Sequence, residues 1–432
     1  MKYILKTFVS VLAFASVMSM TTVQASAQDF GFSIPDQETV EAQKKARDNK
    51  AASQSIGRAI MDAFELYEEE KIKEAIAVLE EQDPDPGYDS AYLGRFLGNL
   101  YAADERMADA LEVLKDAVDQ DVLGWNDQAA AMKLVGQISL QEEKYEQSLE
   151  YLKNWIQFTG KRDSQVFLYM ANAHYQLKNF AKVIPFAEAS LEAADKPEKN
   201  VYNLMMASYY ERKMYPEAIG VLEEGLNKLP EVTTWWPQLA QFYMLEENLS
   251  KSLQTLEVAY LAGYLSTESQ FKMLVQLYDN EGIPYKAATT MEKHVEAGDI
   301  EESARNFATI ANSYHRAKEL DEAVSWYERA AEATNDSGDK GEYYRKQGNL
   351  MLLNEQYIAA TEPLKRALDY LDREDEGRVY MSLAEAYFYG GDYRQAMRYV
   401  DEAATFDGQR RSARSWRGYI KSTAERKGID LD

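Results

Sequence analysis

Small residues return along this chain at a nearly constant stride. They stand at Ala75, Ala110, Ser148, Val183, Ala218, Ser252, Ala287, Ala323, Ala360 and Ala396, at intervals of 35, 38, 35, 35, 34, 35, 36, 37 and 36 residues. A period of this length means one supersecondary unit repeated, each copy too small to bury its apolar face without its neighbours. The flanking residues say what the unit is. Twelve before each mark is another small or apolar residue (Ala63, Gly98, Gly136, Ala171, Met206, Ala240, Val275, Ala311, Gly348, Ala384), and nine before it often a tyrosine (Tyr101, Tyr209, Tyr243, Tyr278, Tyr314, Tyr387). Four after comes a large apolar group such as Leu114, Leu152, Leu256 or Leu364, and three further on Ala117, Ala259, Ala330, Ala367 or Ala403. Two helices approach closely only where small side chains admit the large ones opposite, so the unit is a helical hairpin.

The run Leu97-Gly98-x2-Tyr101…Ala110-x3-Leu114-x2-Ala117 resembles the tetratricopeptide repeat, as does Trp236-x2-Leu239-Ala240-x2-Tyr243…Ser252-x3-Leu256-x2-Ala259. The resemblance covers residues 56–409, ten repeats, and implies an all-α fold: a right-handed α-α superhelix of about ten hairpins, a solenoid. The third repeat departs from it with Ser139 and Trp155, the fourth with His174 and Val183. Pro230 falls where a helix must stop.

The ends read differently from the body. Residues 1–27 place Lys2 and Lys6 ahead of an apolar run from Phe8 to Met20 and then Ala25-Ser26-Ala27, the pattern of a secretory signal peptide too short to span a bilayer. The expectation is an exported, periplasmic chain cleaved near Ala27, with no transmembrane span. Residues 28–55 form a polar arm with too few apolar side chains for a core, expected to cover the first repeat. Residues 410–432 are expected to form a basic capping helix and tail, with Trp416, Tyr419 and Ile420 against the last repeat.

Composition removes several functions. The chain has 48 Lys plus Arg against 72 Asp plus Glu, and loss of Lys2 and Lys6 leaves a net charge of −26. Such a surface does not hold nucleic acid through its phosphates. With no cysteine there is no thiol nucleophile, thiolate metal site or lipidated N-terminal cysteine. His174, His294 and His315 occupy three different places in their repeats, and the first two are expected in the core. The segment Asn335 to Gly341 has Lys340 and Lys346 where a calcium loop needs Gly and Glu. No catalytic, metal or cofactor site is expected, and the chain is read as a non-enzyme.

The resemblance implies that one residue after the first small position of each repeat faces a concave channel. That place holds Phe64, Asn99, Gln137, Asn172, Ala207, Gln241, Gln276, Asn312, Asn349 and Glu385. Side-chain amides donate and accept, so a ladder of them complements a peptide backbone of any sequence. Tyr175, Tyr210, His315, Arg95 and Arg345 stand nearby as apolar and carboxylate contacts. The carboxylate clamp of some such domains is incomplete, since Leu134, Gln165 and Tyr169 fill its other places. Within residues 410–427, Arg410, Arg411, Arg414, Arg417, Lys421, Arg426 and Lys427 face the single Glu425, a local net of +6 and a candidate docking patch for an acidic partner.

The expected function is a scaffold or adaptor that binds protein or peptide partners. The overall pattern is similar to periplasmic tetratricopeptide proteins that accompany TonB, ExbB and ExbD, which implies TonB-system partners and support of outer-membrane uptake. A structural subunit of an envelope assembly, such as polysaccharide export or outer-membrane biogenesis, stays open as the alternative. Oligomeric state is left undetermined.

Overall fold

The computed structural model describes residues 30–47 and 50–431. The signal-peptide pattern of residues 1–27 lies outside the described residues. Every regular element among the described residues is an α-helix, and no helix there is long and apolar enough to cross a membrane.

The chain divides into two compact units, one ending at Met214 and the other beginning at Tyr215. The first holds α1 (Gln37–Ala46), α2 (Gln54–Glu68), α3 (Ile72–Glu80), α4 (Tyr88–Ala103), α5 (Met107–Asp119), α6 (Trp125–Gln141), α7 (Tyr145–Thr159), α8 (Ser164–Gln176), α9 (Phe180–Ala193) and α10 (Lys199–Glu211). The second holds α11 (Tyr215–Lys228), α12 (Trp235–Leu245), α13 (Leu249–Leu261), α14 (Glu268–Asn280), α15 (Pro284–Glu296), α16 (Ala304–Ala317), α17 (Leu320–Ala333), α18 (Ser337–Leu353), α19 (Tyr357–Leu368), α20 (Arg373–Tyr389), α21 (Tyr393–Ala404) and α22 (Arg410–Arg426). Within each unit every helix from α2 onward packs on the next in sequence, the arrangement of a solenoid of helical hairpins.

Local chemistry starts and stops these helices. Asp163, Asn248, Ser303, Asp336 and Asp392 each accept a backbone N–H of the first turn through their side chains. The Asp336 cap makes Ser337 to Gly341 the opening of α18, so the segment tested for calcium is largely helix. The turn inside each hairpin contains one left-handed residue, always five before the small mark: Glu70, Glu105, Glu143, Lys178, Lys213, Glu247, Gly282, Lys318, Glu355 and Gly391, with φ between 56° and 89°. The next amide then donates to the carbonyl five residues back, as Arg106 to Tyr101 and Asn248 to Tyr243, both at 2.8 Å. This is the Schellman closure of a helix C-terminus.

The small and large positions meet as expected. A Cβ added to Gly98, Gly136 or Gly348 would lie 2.3, 2.5 and 2.5 Å from Leu114, Leu152 and Leu364. All ten marks are fully buried. Between hairpins the recurring tyrosine is tied to a carboxylate of the preceding second helix: Tyr101 donates to Glu80 at 2.6 Å and Tyr278 to Glu257 at 3.0 Å, and Tyr243 and Tyr314 donate to Glu223 and Glu292. Burial, and then the adjoining carboxylate, push Tyr101 and Tyr243 up to about 12.

At the C-terminal end α22 buries Ala413, Ile420 and Ala424 on α21, with Trp416 5.6 Å and Tyr419 5.1 Å from the Phe388 ring. The arm behaves unlike a cover for α2. Its residues from Phe30 to Arg47 lie on α7, α8, α9 and the loop before α6, because Phe30 and Phe32 find an aromatic seat there and Gly160 leaves room for Val40 and Pro35.

Candidate functional site: the clefts on α14, α16 and α18

The first helices of three successive hairpins in the second unit carry amides at the same place: Gln276 on α14, Asn312 on α16 and Asn349 on α18. Two clefts run beside them. The first, about 560 Å³, lies between α14 and α16 and is lined by Lys272, Gln276, Asp279, Arg305, Thr309 and Arg316, among others. The second, about 410 Å³, lies between α16 and α18 and is lined by Asn312, His315, Tyr327, Lys346, Asn349 and Leu353, among others.

Electrostatics differ between the two. Asp279 accepts the Ser313 hydroxyl at 2.9 Å and lies 3.0 Å from an Arg316 guanidinium nitrogen, yet burial outweighs both and raises its carboxyl above the ordinary value. Lys272 is paired with Glu268 at 2.5 Å, whereas Arg305 has no carboxylate partner among the described residues. The first cleft therefore offers one uncommitted guanidinium beside an amide. In the second, Tyr327 donates to Asn312 Oδ1 at 2.5 Å and Ser382 to Asn349 Oδ1 at 2.8 Å. Each carbonyl oxygen accepts one bond and keeps a second lone pair, so both amides can still donate and accept.

The other expected groove residues are distributed more widely. Gln241 is exposed on α12, and Glu385 is half-buried on α20 with its carboxyl raised by burial. Asn99, Gln137, Asn172 and Tyr175 belong to the first unit on α4, α6 and α8, and Tyr210 is exposed on α10. The side chains of Asn99, Gln137, Gln241 and Gln276 make no hydrogen bond within the described residues, so their amides are open. Tyr175 meets Phe180 edge-on at 5.4 Å. The expected carboxylate contacts are already spent: Arg345 makes two bonds to Glu342 at 2.6 and 2.7 Å, and Arg95 lies 3.1 Å from Asp127. Arg305 was missed by the sequence reasoning; its signal is a cation two helical turns before a ladder amide, seven residues ahead of Asn312.

His174 is buried and stacks on Phe186 at 5.1 Å, and burial lowers it to about 4. His294 is buried with polar company: Nδ1 is 2.7 Å from Asp299 Oδ2, Nε2 is 3.1 Å from the Tyr260 hydroxyl, and the ring stacks on Phe271 at 3.8 Å. On α22, Arg410 pairs with Asp407 and Arg417 with Asp401, at 2.5 and 3.3 Å. Arg411, Arg414 and Lys421 form no ion pair among the described residues.

Among curated proteins no sequence matches the chain. Several solved structures show partial similarity to the chain. A chain of the APC/C hetero-tetramer Cut9-Hcn1 is 15% identical over 85% of this chain and 84% of its own, with a TM-score of 0.29. A tetratricopeptide repeat protein from Parabacteroides merdae is 13% identical over 62% and 100%, with a TM-score of 0.37. YrrB, a protein described as having an unusual peptide-binding site, is 16% identical over 44% and 90%, with a TM-score of 0.34. Residues 308–341, which run from within α16 through α17 to the opening of α18 beside both clefts, match the tetratricopeptide repeat family.

Proposed function

We propose that this chain is a non-catalytic scaffold that holds extended segments of other proteins along α14, α16 and α18. The observation that carries the reading is the amide series Gln276, Asn312 and Asn349 beside two clefts, with Arg305 free to meet a carboxylate. Amide NH2 groups bond backbone carbonyls of any sequence, and one guanidinium adds a preference for segments with an acidic side chain or C-terminus. The unpaired cations of α22 are a second contact for acidic partners.

The pattern of residues 1–27 supports export and a periplasmic place of work. Resemblance to repeat proteins that accompany TonB, ExbB and ExbD supports partners in TonB-dependent outer-membrane transport. The test is crosslinking of partners in living cells with the Gln276→Ala, Asn312→Ala, Asn349→Ala triple variant and with Arg305→Glu. Capture is expected to fall at least about tenfold, about 1.4 kcal/mol, with helical content unchanged. Undiminished capture by both folded variants removes the clefts from the account. Cell fractionation that finds the chain in the cytoplasm removes the periplasmic part.

A further inference from the structure

Phe30 and Phe32 enter the fold as a plug. The Phe30 ring stacks on Phe167 at 5.4 Å and lies 5.0 Å from Phe186, while Phe32 stacks on Phe30 at 5.8 Å and reaches Phe186 at 6.4 Å. Lys153 stands over the Phe32 ring at 5.9 Å and Arg162 over the Phe30 ring at 6.0 Å. The seat is a notch beside α7, α8 and α9, with Met170 and His174 completing its wall. Gly31 has φ +72°, a backbone turn between the two rings that a side chain would strain. Gly160 is part of the cradle, since a Cβ there would lie 2.6 Å from Val40 Cγ2 and 3.1 Å from the Pro35 carbonyl oxygen.

Behind the plug the arm is held thinly. Helix α1 buries no residue, and the far anchor is Arg47, which donates to the Leu123 carbonyl at 2.6 Å and to Asp121 at 2.9 Å. The plug also leaves the notch unfinished. Among the described residues His174 Nδ1 is buried with no hydrogen-bond partner, and a cleft of about 810 Å³ stays open alongside the two phenylalanines.

We propose that this notch is a recognition site for extended segments of other proteins that carry two aromatic rings two residues apart, and that Phe30-Gly31-Phe32 occupies it in cis. Cations over ring faces select aromatic over aliphatic side chains, and the seated pair displays the spacing the notch accepts. A tethered arm competes at an effective concentration near the millimolar range, so it excludes weak segments. A partner that also donates a hydrogen bond to His174 or fills the open cleft gains contacts the arm lacks. This site is separate from the clefts on α14, α16 and α18, and neither depends on the other.

The probe is a fluorescein-labelled peptide with the sequence QDFGFSIPD, followed by anisotropy against the full chain. Wild type is expected to bind it at least about tenfold more weakly than the Phe30→Ser, Phe32→Ser variant, in which the notch is unplugged. The same peptide with both phenylalanines replaced by serine is expected not to bind, and Lys153→Glu in the unplugged variant is expected to weaken binding. An unplugged chain with native helical content that binds no better than wild type overturns the proposal, as does equal binding of the serine peptide. Self-association of wild type that vanishes on unplugging would place the arm in a second copy and overturn occupancy in cis.

Discussion

Ser148 donates its hydroxyl to the carbonyl oxygen of Gly136 at 2.7 Å, across the hairpin of α6 and α7 and twelve residues apart in sequence. Ser252 does the same to Ala240 at 2.7 Å. The small mark thus lies against the backbone of the facing helix, close enough for a hydroxyl to reach it. Beside it Leu152 fills the space above Gly136. Gly136→Ala is expected to cost about 1–3 kcal/mol by overpacking, and Leu152→Ala in the same chain to cost less than it does alone. A double-mutant cycle in urea checks this; additive costs would mean that the two side chains do not share one space.

Eight of the ten hairpin turns put a charged residue rather than glycine in the left-handed conformation. Left-handed backbone costs an L-residue about 1–2 kcal/mol, part of which glycine loses to its greater unfolded freedom. Glu143→Gly and Glu355→Gly are each expected to raise stability by about 0.5–1 kcal/mol, and Gly391→Val to lower it by at least as much. Denaturation midpoints decide; a fall for both glycine variants would show that the glutamates stabilise the turns by contact.

Tyr278 sits between repeats with Glu257, which also holds Lys286 at 2.6 Å. The lysine, then Tyr278, keeps the Glu257 carboxyl below its ordinary value, so the acceptor is charged at neutral pH. Tyr278→Phe is expected to cost about 1–2 kcal/mol without disturbing the packing. Hydrogen exchange should rise in α13 and α14 before it rises elsewhere.

His174 is neutral in the folded chain because burial disfavours its cation. Its folded value, about 4, lies below the ordinary 6.5, so the unfolded chain binds more protons between those values. Stability is therefore expected to fall as pH drops from about 6.5 toward 4, by about 3 kcal/mol in all, and to be unaffected by this group above that window. In His174→Phe that part of the acid slope should vanish. An unchanged slope assigns it to other groups.

Arg411, Arg414 and Lys421 on α22 are exposed and form no ion pair among the described residues. Their conversion to glutamate is expected to weaken capture of an acidic partner about tenfold at low salt and to matter little at about 1 M, where screening acts within about 3 Å. Pull-downs at the two salt concentrations measure it, and equal loss at both would point to a contact other than charge.

The stride of small residues determined a good deal by itself. It located the hairpins and the small and large positions that meet as Gly98–Leu114 and Gly136–Leu152. These follow from local geometry: a helix pair of fixed length must close and pack in the same way each time, so its requirements recur in sequence. The tertiary structure decided what has no period. The hydrogen-bond contact of His294 with Tyr260, thirty-four residues apart, and the seat of Phe30 depend on which surfaces meet at long range. The arm shows the difference most plainly. Two aromatic rings among polar residues are too few for a core of their own, and only a notch assembled by α7, α8 and α9, more than a hundred residues along the chain, gives them one.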